Sequence, residues 1–417
     1  MLGAVHDTPV IDGLPFAARA GLIPGSAIDS STSLLQGQSH DIVRFAMGSP
    51  AAEAIPAAAF DELARVALSD GASDAYDYGP TEGEAGLRAA LLAFLEQQGS
   101  PTPDARLLIT AGGMQGLDLA GKLFIERGDL VVVESPTYTN GTAVILSYEG
   151  ELLEVPVDDD GMVVEDLPEL VAAAGRTPKA IYVIPNSQNP SGTTLSLARR
   201  RTLLDLATGW GAVIVEDDPY GLLRFEGSPL PSLAELSDHD ARVMGVYTFS
   251  KIVAPGLRVG WVVADALVVD RMIDAKQGMD TCTNVPAQRL LQLFLERGGM
   301  DDHLSGLRME YRRRKEAMQD ALRQQFGSAV EFTDPDGGFF LWLTFPEGVD
   351  TAELSPVALE EGVAYIPGAA FSPAGRFANQ LRLCFASTAP ERIREGVHRL
   401  RRAVDRLYGP EWSGRSQ

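Results

Sequence analysis

From about residue 56 to about residue 300, short apolar runs alternate with stretches of helical pattern. This alternation restricts the fold more than any other feature, because it is the pattern of a parallel α/β sheet. The strand-like runs are Leu107–Thr110, residues 130–134, 180–185, 212–216 and 243–249, and Gly260–Val263. Helical stretches such as 115–125 and 197–208 lie between them. Runs this apolar suit strands covered on both faces. After about residue 300 the character changes. A charged amphipathic helix over 309–326 precedes two strand-like runs, 338–344 and 380–385, and a basic helix over Pro390–Tyr408. The spacing predicts an arm over 1–55 that belongs to the small domain, a large domain over 56–300, and a smaller α+β domain over 301–417. Within the last, the run Tyr311-Arg-Arg-Arg-Lys315 reads as a solvated helix face.

The 417 residues suffice for two domains and a core that can bury a cofactor. With 35 Lys plus Arg against 57 Asp plus Glu, the net charge is −22. That balance argues against nucleic acid or an anionic membrane as partner, since both need a basic surface. The two cysteines, Cys282 and Cys384, stand far apart, so a reducing cytoplasm is the expected compartment. The first residues show no basic segment followed by an apolar one, and no apolar run is long enough for a bilayer. The 5 histidines are scattered without metal-ligand spacing, so no metal site is expected.

Ligands of an open parallel sheet bind beyond the carboxyl ends of its strands, so the residues that follow each strand carry the chemistry. They are Ala111-Gly-Gly-Met-Gln115, Ser135-Pro-Thr-Tyr138, Asn186-Ser-Gln-Asn-Pro-Ser-Gly192, Asp217-Asp-Pro-Tyr220, and Ser250-Lys251 with Pro255-Gly-Leu-Arg258. A glycine turn, an aromatic ring, an amide, an acid, a phenol, an amine and a guanidinium thus emerge at one rim. Pyridoxal phosphate uses that whole set. Its aldehyde needs a lysine amine, and its pyridinium nitrogen needs a carboxylate. Its phosphate suits a helix N-terminus with a cation, and its ring needs an aromatic partner.

Four motifs carry a resemblance that extends from about residue 43 to the last helix. Ser250-Lys-Ile-Val-Ala-Pro-Gly-Leu-Arg258, Asn189-Pro-Ser-Gly192, Asp217-Asp-Pro-Tyr220 and Tyr78-Gly-Pro-Thr-Glu-Gly83 with Leu87-Arg88 together resemble fold-type I pyridoxal-phosphate aminotransferases. Within that group the chain looks most like the 2-aminoadipate (LysN-like) and kynurenine aminotransferase branch. The resemblance implies an α/β fold, a large domain with a mostly parallel sheet flanked by helices plus a smaller α+β domain. It also implies transfer of an amino group from an L-amino acid to a 2-oxo acid such as 2-oxoglutarate.

Roles follow residue by residue. Lys251 would hold the cofactor as an aldimine and shuttle protons, Asp217 would pair with the pyridine nitrogen, and Tyr220 and Asn189 would meet the ring oxygen. Tyr138 would stack on the ring. Arg258, Thr248 and the Gly113 and Met114 amides would hold the phosphate, joined by Tyr78 from a second subunit of a homodimer. Arg382 would clamp the substrate carboxylate, with Asn189 and Gly48 beside the substrate.

The chain also departs from the LysN-like pattern. Gly113-Met114 replaces a Ser-Gln pair of side-chain donors, Pro219 replaces a usual alanine, and Asn186 adds an amide near the site. Ser26-Ala-Ile-Asp-Ser30 lacks an arginine that some relatives use for a distal carboxylate, so Asp29 favours a polar or cationic substrate. Two other functions are open to such a chain. One is elimination, replacement or oxidation through the same cofactor-stabilised carbanion. The other is a regulatory domain of this fold, which the acidic balance and the lack of a DNA-binding segment disfavour.

Overall fold

The computed structural model describes residues 10–11, 14–23, 25, 40–68 and 74–412. Eight strands among them form the central sheet: β1 (Leu107–Thr110), β2 (Leu130–Ser135), β3 (Glu151–Asp158), β4 (Gly161–Met162), β5 (Ala180–Val183), β6 (Val213–Asp217), β7 (Val243–Thr248) and β8 (Gly260–Val263). Their spatial order is β1-β8-β7-β6-β5-β2-β3-β4. All run parallel except β8 and the two-residue β4. The apolar runs explain this placement. Val131 and Val133 on β2 pack into one core cluster with Val215 and Val246, while Val132 packs into another with Ile181 and Ile214. Side chains on a strand alternate faces, so a strand apolar at every position must be covered on both.

The strand ends differ from the sequence reading for local reasons. The run 180–185 stops pairing at Val183, because Ile184 N–H turns to Glu134 Oε2 at 3.0 Å and Pro185 has no N–H. At β6 the strand extends one residue, since Asp217 pairs with Val246 of β7.

Helices cover the sheet, among them α1 (Ala57–Ala67), α2 (Ala85–Gln97), α3 (Gly113–Phe124), α4 (Thr139–Ser147), α5 (Leu167–Ala174), α6 (Leu197–Trp210), α7 (Ala266–Gln277) and α8 (Val285–Glu296). Ser196 caps α6 by accepting from Arg199 N–H, and Gly211 ends it at φ 70°. A long helix, α9 (Gly299–Phe326), begins ten residues earlier than the pattern suggested. It packs against α11 (Pro390–Tyr408), and α10 (Thr351–Glu360) packs against α11 and the edge of a second sheet. That sheet is antiparallel, in the order β9 (Glu331–Phe332), β10 (Phe340–Thr344), β12 (Gln380–Cys384), β11 (Ile366–Pro367). Val43–Arg44 pairs with Val363–Ala364, which ties the arm to the C-terminal part.

One expectation fails here. Tyr311, Arg314 and Lys315 are buried, so the run they belong to is not a solvated face. Arg314 bonds Glu53 and the Ala386 carbonyl, and Lys315 bonds Glu226 and Asp334. Each buried cation has an anion, as burial demands. Only Arg312 and Arg313 of the run face solvent. Among the described residues, no helix is long and apolar enough to cross a membrane.

Candidate active site

The carboxyl ends of the parallel strands open on a cavity of about 230 Å³. It is lined by residues from the sheet, from the arm and from the small antiparallel sheet. β1 delivers the turn Ala111-Gly112-Gly113, from which α3 starts. Gly112 sits at φ 80°, and a Cβ there would stand 2.6 Å from Arg258 Nη2. Only glycine lets the guanidinium approach the helix start. β7 ends at Thr248, whose Oγ1 donates to Ser250 Oγ at 2.9 Å, and Arg258 Nη1 donates to the same Ser250 oxygen at 3.4 Å. Two hydroxyls, a guanidinium and the first amides of α3 therefore share one corner. A helix N-terminus with a cation beside it is an anion site.

Asp217 closes the cavity at the end of β6. Tyr182 OH donates to its Oδ2 at 2.8 Å. Burial raises the Asp217 carboxyl to about 7, against the lowering effect of that hydrogen bond. Glu134, two strands away, is raised to about 8, chiefly by burial. Of the two carboxyls, Asp217 lines the cavity and Glu134 does not. Lys251 follows β7. Its Nζ donates to the Gly48 carbonyl at 2.6 Å, and burial lowers it to about 8.

Arg382 comes from β12 of the small sheet and is wholly buried. Its Nη2 donates to the Ala46 carbonyl at 2.7 Å and its Nη1 to Asn189 Oδ1 at 2.9 Å. Its guanidinium lies 4.2 Å from the centre of the Phe340 ring, and burial lowers it to about 10. The register explains the stacking: Trp342 opposes Arg382, so Phe340, two residues along, lies on the same face. Its Nε has no partner, and no carboxylate among the described residues pairs with it or with Arg258. A buried cation without an anion is costly, and the cost is removed by an anionic ligand.

Gly48, Gly113, Met114, Tyr138, Asn189, Asp217, Tyr220, Thr248, Lys251, Arg258 and Arg382 all line this one cavity. Tyr78 does not. It is 82% exposed, on a shallow surface with Cys282 and Asn284. The segment 26–30, with Asp29, lies outside the described residues. Asn186 stands near the cavity, as expected, but does not line it. It lines a neighbouring cavity of about 340 Å³ instead, donating to Asp218 Oδ2 at 2.9 Å and accepting from Arg200 at 2.6 Å. That cavity contains no lysine. The hydrogen-bonding demands of the buried Arg200 draw the amide away from the site.

Sequence reasoning missed Ser250, Phe340 and Tyr182. Ser250 stood beside Lys251 and could have been taken from its place in the strand-end list. Nothing local marks the other two.

An amine, a carboxylate, a phenol, an anion-binding helix start and an unpaired guanidinium match a phosphate-bearing aldehyde and an amino acid together. Residues 41–400 match the family "Aminotransferase class I and II". The chain belongs to that family. This aminotransferase is 38% identical over 371 residues to aromatic-amino-acid aminotransferase 1 of Thermococcus litoralis, covering 88% of this chain and 89% of that one. Kynurenine aminotransferase of Pyrococcus horikoshii superposes with a TM-score of 0.88 at 35% identity, over 94% of this chain and 97% of that one. The α-aminoadipate aminotransferase LysN of Thermus thermophilus, solved with N-(5'-phosphopyridoxyl)-L-leucine, superposes at 0.86 and 36% identity, again over 94% and 97%. The aminotransferase is thus a pyridoxal-phosphate enzyme of fold type I, as the motifs implied. Its substrates are an amino acid and an oxo acid.

Proposed function

We propose that the aminotransferase moves an amino group from an L-amino acid to 2-oxoglutarate, with Lys251 as the amine that holds the cofactor. One observation carries this reading: the Lys251 amine and the Arg382 guanidinium, buried without a carboxylate, line the same cavity. When bound, pyridoxal phosphate supplies an aldehyde that condenses with amines and a ring that takes up an electron pair from the substrate α-carbon.

The chain's own residues do the rest. Gly113 and Met114 amides, Thr248, Ser250 and Arg258 bind the phosphate. Asp217 would keep a proton on the pyridine nitrogen. Tyr138 covers one ring face. Asn189 already gives its Oδ1 to Arg382, which leaves its amide N–H groups, with the Tyr220 phenol, to donate to the ring oxygen. Arg382 fixes the substrate carboxylate through two parallel hydrogen bonds. Lys251 Nζ, in the same cavity, would take the proton from the substrate α-carbon as a general base and hold it for return. Tyr78 fits the phosphate only from a second subunit, so the working form is a homodimer with two shared sites.

Incubation with a panel of amino acids plus 2-oxoglutarate, read by mass spectrometry, tests this. New glutamate with the matching 2-oxo acid is the expected result. Ammonia or peroxide with no new glutamate would overturn it.

A further inference from the structure

The turn that would receive the phosphate has no side-chain cap of its own. Gly112 and Gly113 lack side chains, and the Met114 thioether offers no proton to donate. Its position is nevertheless fixed by a chain of side chains behind it. Gln115, the third residue of α3, reaches back so that its Oε1 accepts from Ala111 N–H at 2.8 Å. Its Nε2 donates to Asp280 Oδ2, also at 2.8 Å. Asp280 Oδ1 accepts from Lys276 Nζ at 2.8 Å, and the Lys276 side chain is wholly buried in the last turn of α7.

The polarity of this chain is fixed. A backbone N–H can only donate and a carboxylate can only accept, so the Gln115 amide can lie only one way round. The buried ammonium requires an anion and holds Asp280. Asp280 selects the amide orientation, and the amide oxygen anchors the residue just before Gly112. None of the three lines the cofactor cavity.

We propose that Lys276, Asp280 and Gln115 are positioning residues that hold the phosphate turn and set cofactor affinity without touching the cofactor. This rests on the reading that places the phosphate at the start of α3. Asp280→Asn must turn its oxygen to Lys276 and its Nδ2 to Gln115. The Gln115 amide then inverts and sets a donor against the Ala111 N–H. Gln115→Glu sets one carboxylate against another. Combining the two restores the sequence of donors and acceptors: the amide at 280 donates to the carboxylate at 115, which also accepts from Ala111.

The test is titration of each apoenzyme with pyridoxal phosphate and, separately, with pyridoxal, followed by absorbance. Each single variant is expected to weaken pyridoxal phosphate about tenfold or more, the cost of a buried group left unpaired. The double variant should bind it more tightly than either single one. Pyridoxal, which lacks the phosphate, should bind all four proteins within about twofold of one another, since the turn is not its partner. The proposal fails if the single variants bind pyridoxal phosphate like the parent. It also fails if the double variant is no tighter than the weaker single one, or if pyridoxal loses as much. If a single variant folds poorly by circular dichroism, Gln115→Met, similar in volume and without an acceptor oxygen, takes its place with the same expected loss. Arg258→Ala separates the two levels. If it too leaves pyridoxal phosphate unaffected relative to pyridoxal, the phosphate placement itself is wrong. If it alone weakens the phosphate form, only the positioning role is.

Discussion

Arg382 donates to the Asn189 side-chain oxygen across 2.9 Å, joining residues 193 positions apart, one on a strand of the small sheet and the other in the loop that follows β5. The contact leaves the guanidinium short of an anion and oriented by an amide. Replacing Arg382 with lysine keeps the charge but removes the planar fork. Steady-state kinetics should show kcat/KM for the amino acid falling roughly 100-fold, about 2.7 kcal/mol. A loss under twofold would mean that another group binds the carboxylate.

The Lys251 amine, lowered by burial to about 8, sheds its proton well before an ordinary lysine does. Only the neutral amine attacks an aldehyde. The rate at which apoenzyme recombines with pyridoxal phosphate should therefore rise with pH and level off just above 8. Stopped-flow absorbance across the alkaline range would show this, and a rate still climbing steeply past pH 10 would contradict it.

Tyr182 donates to Asp217, and that bond favours the carboxylate. Tyr182→Phe removes it, so Asp217 becomes harder to ionise and its pKa rises further. A hydrogen bond to a charged group contributes about 1.5–3 kcal/mol. The acid limb of the kcat/KM profile should thus move up by about one pH unit or more. Activity near pH 6 falls much more than activity near pH 9. An acid limb that stays in place would show that Tyr182 has no hold on the carboxyl.

Tyr78 and Lys251 should belong to different subunits of one site. Lys251→Ala and Tyr78→Ala proteins, each impaired alone, should recover activity when unfolded together and refolded as a mixture. The hybrid dimer then contains one site with both residues intact. A mixture no more active than the sum of its parts would contradict the shared-site reading.

The parallel sheet was legible because strands buried on both faces carry unbroken apolar runs, as residues 130–133 of β2 and 213–215 of β6 do. The start of α9 was not: two glycines and two aspartates in Gly299–Gly306 hide a helix held by packing of Met300 and Leu304. Strand β3, next to last in the sheet, was missed because its sequence, Glu151–Asp158, mixes charge with apolar residues, as a partly exposed strand can. The cavity-lining residues that follow strand ends, Asp217 and Lys251 among them, were legible because their place relative to the sheet puts them at one rim. Tyr182 and Phe340 were not, because each acts through a contact made only in three dimensions, the first 35 residues from Asp217. Burial of the 314–315 cations was hidden for the same reason, as Arg314 meets its Glu53 partner 261 residues away.

Borohydride reduction of the holoenzyme followed by peptide mapping tests the central claim most directly. The account predicts a single pyridoxyl group, on the side chain of Lys251 and on no other lysine. A modified Lys276 or Lys315, or no modified lysine at all, would contradict it.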